Sequence, residues 1–138
     1  MRTRNRAGQP WLILAAALLI AAGCSGDSGT AAPPEPTPGD IVVSVAGAEA
    51  SRGLLIRLSG PGAMTNIRAA TSAYQAYSGS GSEGVAVAVF GTFTAGPLLR
   101  MSVPDTRAYQ QYSAAVVESA GPSNAILAGP APTLKVGR

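Results

Sequence analysis

Gly84-Val-Ala-Val-Ala-Val-Phe-Gly91 is the stretch whose reading decides the fold. Val85, Val87 and Val89 fall on one side of an extended chain, and Ala86, Ala88 and Phe90 on the other. A period of two in β-branched residues is the signature of a strand. Apolar residues on both faces predict a central strand, or one covered on both sides.

The same alternation spreads outward. In Leu98-Leu-Arg-Met-Ser-Val103, Leu99, Met101 and Val103 point inward while Arg100 and Ser102 point out, and Pro104-Asp105 ends the run. Gly53-Leu-Leu-Ile-Arg-Leu-Ser-Gly60 sets Leu54, Ile56 and Leu58 against Leu55 and Arg57 before Gly60-Pro-Gly62 breaks it. Ile41-Val-Val-Ser-Val45 is a further β-branched run. Between these lie a strand expected over Ile67 to Ala73, another near Tyr74 to Tyr77, and Ser78-Gly-Ser-Gly-Ser82, which reads as a flexible turn. Tyr109 to Ala120 fits two periods. Tyr109, Tyr112 and Val116 have helical spacing, whereas Tyr112, Ala114 and Val116 share a strand face. The regular spacing of the neighbouring strands favours a helical turn near 105–109 followed by a strand. Ala125–Ala128 and Thr133–Val136 read as short final strands around a Pro-rich turn. Residues 40–138 thus predict an all-β domain, a small β-sandwich of about seven or eight short strands, because each one-sided apolar sheet must bury its face on another.

Gly53-Leu-Leu-Ile-Arg-Leu-Ser-Gly60, Gly91-Thr-Phe-Thr-Ala-Gly-Pro-Leu-Leu-Arg-Met-Ser-Val-Pro104 and the closing Leu134-Lys-Val136 resemble the rhythm of cohesin-like β-sandwich modules. The resemblance lies in pattern and spans residues 40 to 137. It implies the sandwich architecture and assigns no functional residue.

Ahead of the domain, residues 24–39 comprise Cys24 and a Gly/Ser/Pro-rich linker with no large apolar side chain, a composition expected to be disordered. Residues 1–23 read as an export signal. Arg2, Arg4 and Arg6 form a positive start, and Trp11 to Gly23 is an uncharged apolar run, shorter than the roughly 20 residues that cross a bilayer. Ile20-Ala21-Ala22-Gly23-Cys24 resembles the lipobox of bacterial lipoproteins, with small residues at Ala22 and Gly23 and with Ala21 where that family prefers Leu. The resemblance implies cleavage between Gly23 and Cys24, lipidation of Cys24, and a protein held in membrane lipid on the extracytoplasmic face. Ser25 is of the kind that permits sorting to an outer membrane, so the expected location is the cell membrane or the outer membrane.

Three of the ten basic residues belong to that signal, and the remaining seven equal the seven acidic ones. A neutral mature chain without a basic patch argues against nucleic acid as a partner. The chain has no histidine and one cysteine. That excludes Ser-His-Asp and Cys-His catalysis and an intramolecular disulfide, and leaves zinc without its usual ligands. Asp40 and Asp105 are turn carboxylates without an Asp-rich calcium loop around them. Glu49, Glu83, Asp105 and Glu118 are spread over separate segments. No enzyme, metal or cofactor is expected. The suggestive residues are Tyr74 with Tyr77 and Tyr109 with Tyr112, two Tyr-x-x-Tyr pairs. As candidate binding aromatics they could stack on a sugar ring or anchor a protein. The expected function is a non-enzymatic binding or adhesion module at the cell envelope, with an envelope protein or glycan as partner. The alternative is a structural or accessory envelope lipoprotein without a soluble ligand.

Overall fold

The computed structural model describes residues 31–138, so the signal, Gly23 and Cys24 lie outside the described residues. Residues Pro34–Arg138 form one compact unit. Its strands are β1 (Gly39–Ala46), β2 (Gly53–Ser59), β3 (Thr65–Ala69), β4 (Tyr74–Gly81), β5 (Gly84–Gly91), β6 (Gly96–Val103), β7 (Ser113–Ala120) and β8 (Thr133–Gly137), with a 3-10 helix at Thr106–Gln111. They form two four-stranded antiparallel sheets, a first of order β3-β6-β1-β8 and a second of order β4-β5-β2-β7. This is the expected all-β sandwich.

The inner faces follow the sequence alternation. Ile41, Val43 and Val45 of β1 and Leu99, Met101 and Val103 of β6 meet Leu54, Ile56 and Leu58 of β2 and Val87 and Val89 of β5 in one buried core. Each such side chain contributes about 1.5–3 kcal/mol through the water it sheds. No disulfide among the described residues supplements that packing, so the core carries the stability.

Three expectations need correction. Ser78–Ser82 is not a flexible turn. β4 continues to Gly81, and only Ser82 and Glu83 turn before Gly84. Gly84 has φ +122°, a conformation open to glycine, and this lets the reversal be so tight. Ala125–Ala128 is not a strand. A single bridge joins Ile126 to Ala120, and Asn124 adopts φ +59° in the preceding turn. Pro122, Pro130 and Pro132 flank this stretch without the amides a ladder needs. β3 runs from Thr65 to Ala69 and stops short of Ala73, because Ala70 to Ala73 turn into β4. β5 is central in its sheet, the first of the two alternatives its apolar faces predict; it is covered on its inner side, and Phe90 is exposed on the outer. The ambiguous Tyr109–Ala120 stretch resolves into the 3-10 helix followed by β7.

The Pro-rich residues just before β1 are strapped to that helix. The Thr37 amide donates to Asp105 Oδ1 at 3.1 Å, and the Thr37 carbonyl accepts from the Thr106 amide at 2.8 Å. Arg107 Nη2 donates to the carbonyls of Pro34, at 3.2 Å, and Glu35. Hydrogen bonds from Arg107 and then from the Thr37 amide pull the Asp105 carboxyl down from 3.8 to about 2. A carboxyl lowered on folding stabilises above its unfolded value, and that contribution disappears as pH falls through the folded value. The strap should therefore stay closed at pH 4 and open progressively toward pH 2. An NMR titration of the Thr37 amide checks this, with Asp105→Asn abolishing the transition; a Thr37 signal unchanged down to pH 2 would contradict it.

Candidate interaction face

The strands place the four tyrosines in different settings. Tyr74 is 8% exposed and Tyr112 4% exposed, so neither is free to bind; both belong to the core, a correction to the sequence expectation. Tyr74 packs on Phe93 with ring centroids 5.4 Å apart, and its hydroxyl lies 3.4 Å from Thr94 Oγ1. Tyr112 lies on Gly60 so closely that a Cβ there would sit 2.2 Å from Tyr112 Cδ1. Tyr109 is half-buried, with the Arg138 guanidinium 5.0 Å from its ring centre. Tyr77 alone is well exposed, at 62%. Tyr74 and Tyr77 are three apart on one strand, and an odd separation sends side chains to opposite faces.

Tyr77 has an aromatic neighbour that sequence reasoning did not join to it. Phe90 of β5 stands opposite Gln75 of β4, and its ring meets that of Tyr77 edge-on, with centroids 6.3 Å apart and planes at 61°. Such a pair is worth about 0.5–1.5 kcal/mol beyond its buried area. Phe90 is nevertheless 49% exposed. On its other side it stands opposite Gly53 of β2, and a Cβ at Gly53 would lie 3.3 Å from Phe90 Cε1. The ring thus covers the glycine, and the missing side chain leaves room for it.

Leu55 extends this apolar surface. It faces Ala88 on one side and Glu118 on the other. Gly53, Leu55, Ala88, Phe90, Glu118 and Ala120 line a shallow depression of 150 Å³. The rim is charged: Arg57 Nη1 lies 2.9 Å from Glu83 Oε2, both well exposed, a pair worth at most about 1 kcal/mol. An apolar centre with a polar rim is the anatomy of a protein interaction patch.

The first sheet's outer face differs. Ser102 Oγ donates to Asp40 Oδ1 at 2.7 Å, and Arg68 Nη2 pairs with Asp40 Oδ2 at 2.5 Å. These bonds, Ser102's first and Arg68's next, hold the Asp40 carboxyl below its ordinary value. With both oxygens engaged and the carboxyl kept ionised, Asp40 is poorly placed to carry a proton at neutral pH. Asp105 is committed to the strap. Among the described residues, no three His, Cys, Asp or Glu side chains gather as a metal site would require. The described residues also hold no helix long and apolar enough to cross a membrane. In comparisons with known proteins, the chain matches no family model, no curated protein and no solved structure.

Proposed function

We propose that this chain is a lipid-anchored protein of the cell envelope, and that its sandwich acts as a non-enzymatic binding module through the outer face of the second sheet. The lipobox-like Ile20–Cys24 supports the anchor. The observation that carries the binding role is the exposed Tyr77–Phe90 pair beside Leu55, with Glu118 across from Leu55 and the Arg57–Glu83 pair as the nearby charges. Large apolar groups in such a cluster are costly to leave in water and are the residue types that anchor interfaces. The partner is an envelope protein or a glycan whose ring faces or apolar side chains stack on the pair.

The test uses the full chain in a bacterial host with lipoprotein processing. Cys24→Ala should abolish incorporation of labelled fatty acid and release the protein from membranes. Tyr77→Ser with Phe90→Ser should keep the label and weaken capture of the envelope partner at least tenfold, since aromatic hot spots are each worth about 2 kcal/mol. Label retained in Cys24→Ala would sink the anchor. Equal capture by the double variant would sink the face.

A further inference from the structure

A two-sheet sandwich leaves four edge strands, here β3, β8, β4 and β7. Unpaired edges invite other strands, and proteins guard them with charge, proline, bulges, shortness or a covering loop. β3 is five residues long, has an irregular register between Thr65 and Arg68, and carries Arg68. β8 is also five residues long and carries Lys135. β7 carries Glu118 and an irregular register against β2; the following loop also covers its end through the Ala120–Ile126 bridge and a bond from the Leu127 amide to the Ser119 carbonyl at 2.9 Å. β4 has none of these guards. Its eight residues, Tyr-Gln-Ala-Tyr-Ser-Gly-Ser-Gly, hold no charge and no proline, and they pair with β5 without a break in register.

The free side of β4 can be worked out residue by residue. Gly81 and Gly84 close the two-residue turn, so their backbones bond each other. Antiparallel alternation then turns the amides and carbonyls of Gly79, Tyr77 and Gln75 toward β5, and those of Ser80, Ser78 and Ala76 toward the open edge. We propose that this edge pairs with the β4 strand of a second copy of the chain, antiparallel and centred on Ser78, joining two second sheets into one.

That register is self-complementary. Ser78 meets its own copy, and Ala76 meets Ser80, so every edge residue that offers a bond finds one that accepts it. The full length from Gln75 to Gly81 is used. On the outer face, Tyr77 comes opposite the other copy's Gly79, where a Cβ would meet nothing within 4 Å. The open space above Gly79 receives the tyrosine ring as Gly53 receives Phe90 within the sheet. An uncharged strand opposes its twin without the repulsion that like charges would bring. A contact of one strand per copy lies at the small end of specific interfaces, so association is expected with a Kd of about 1–100 µM. The proposal rests on neither the lipid anchor nor the ligand of the apolar face.

The test uses the full chain in detergent, carrying Cys24→Ser so that no native thiol interferes. Sedimentation at up to about 100 µM should show a dimer. Ser78→Lys, which sets two ammonium groups face to face, should weaken self-association at least tenfold while leaving the circular dichroism spectrum unchanged. Under mild oxidation, Ser78→Cys should form a reducible dimer. Gln75→Cys should not, because that register separates the two Gln75 positions by about 20 Å. A chain monomeric throughout, an undiminished dimer in Ser78→Lys, or equal crosslinking at both positions would each overturn the proposal.

Discussion

Gly84→Ala is expected to lower the melting temperature by about 12–24 °C, a loss of about 3 kcal/mol at roughly 4–8 °C per kcal/mol for a domain of this size. Two causes add. Gly84 holds φ +122°, where an L side chain is strained, and a Cβ there would lie 2.3 Å from the carbonyl oxygen of Leu58. That oxygen belongs to the backbone of β2, which is paired to β5 next to the site, at Leu58 and Val85. It can move away only by opening the pairing at the centre of the second sheet. Every residue larger than glycine should therefore fail alike. Gly137→Ala is the control, since its Cβ would meet nothing within 4 Å; it should change stability by no more than about 0.5 kcal/mol. Thermal unfolding followed by far-ultraviolet circular dichroism separates the two, and a Gly84→Ala chain as stable as wild type would contradict the clash.

Phe93→Ala should cost about 3–5 kcal/mol, the range for emptying a buried aromatic site. Phe93 belongs to no strand; it lies in the connection between β5 and β6, yet it is among the largest fully buried side chains in the domain. Its ring leans on Tyr74 of the second sheet, so truncation removes core volume and also loosens Tyr74 at the edge where β4 begins. Phe93→Leu refills most of the space and should recover more than half of the loss. Urea titration measures both. A Phe93→Ala midpoint within error of wild type would mean that the ring does not seal the core.

The inner half of the fold was legible because β1, β2, β5 and β6 carry their apolar residues at a strict period of two, and burial then follows from geometry. Ser78–Gly81 was not legible. Glycine and serine leave no hydrophobic period to read, and that segment is a strand because the neighbouring β5 supplies its hydrogen bonds. Ala125–Ala128 misled in the opposite way, with apolar residues in a setting that prolines and a positive φ keep out of a ladder. The candidate site was half legible. Tyr77 stood out by type, but its partner Phe90 becomes visible only once β4 and β5 are paired across Ser82 and Glu83. Tyr74 and Tyr112 looked the same as Tyr77 in sequence, and only the surrounding packing distinguishes them.

The strand order also sets a schedule for folding. β1 lies inside the first sheet, yet both of its partners, β6 and β8, come later in the chain. β4 and β5 form the one hairpin in the domain whose strands adjoin in both sequence and sheet. At a synthesis rate of about 5–20 residues per second, β1 waits several seconds for β6, and longer for β8. During that interval Ile41-Val-Val-Ser-Val45 is a β-prone, uncharged run with nothing to pair with, the composition most prone to aggregate. Such non-local pairing also places the domain among slow folders, on the order of milliseconds to seconds. Holding the nascent chain apart from its neighbours until residue 137 has emerged is therefore a requirement that this topology places on the cell.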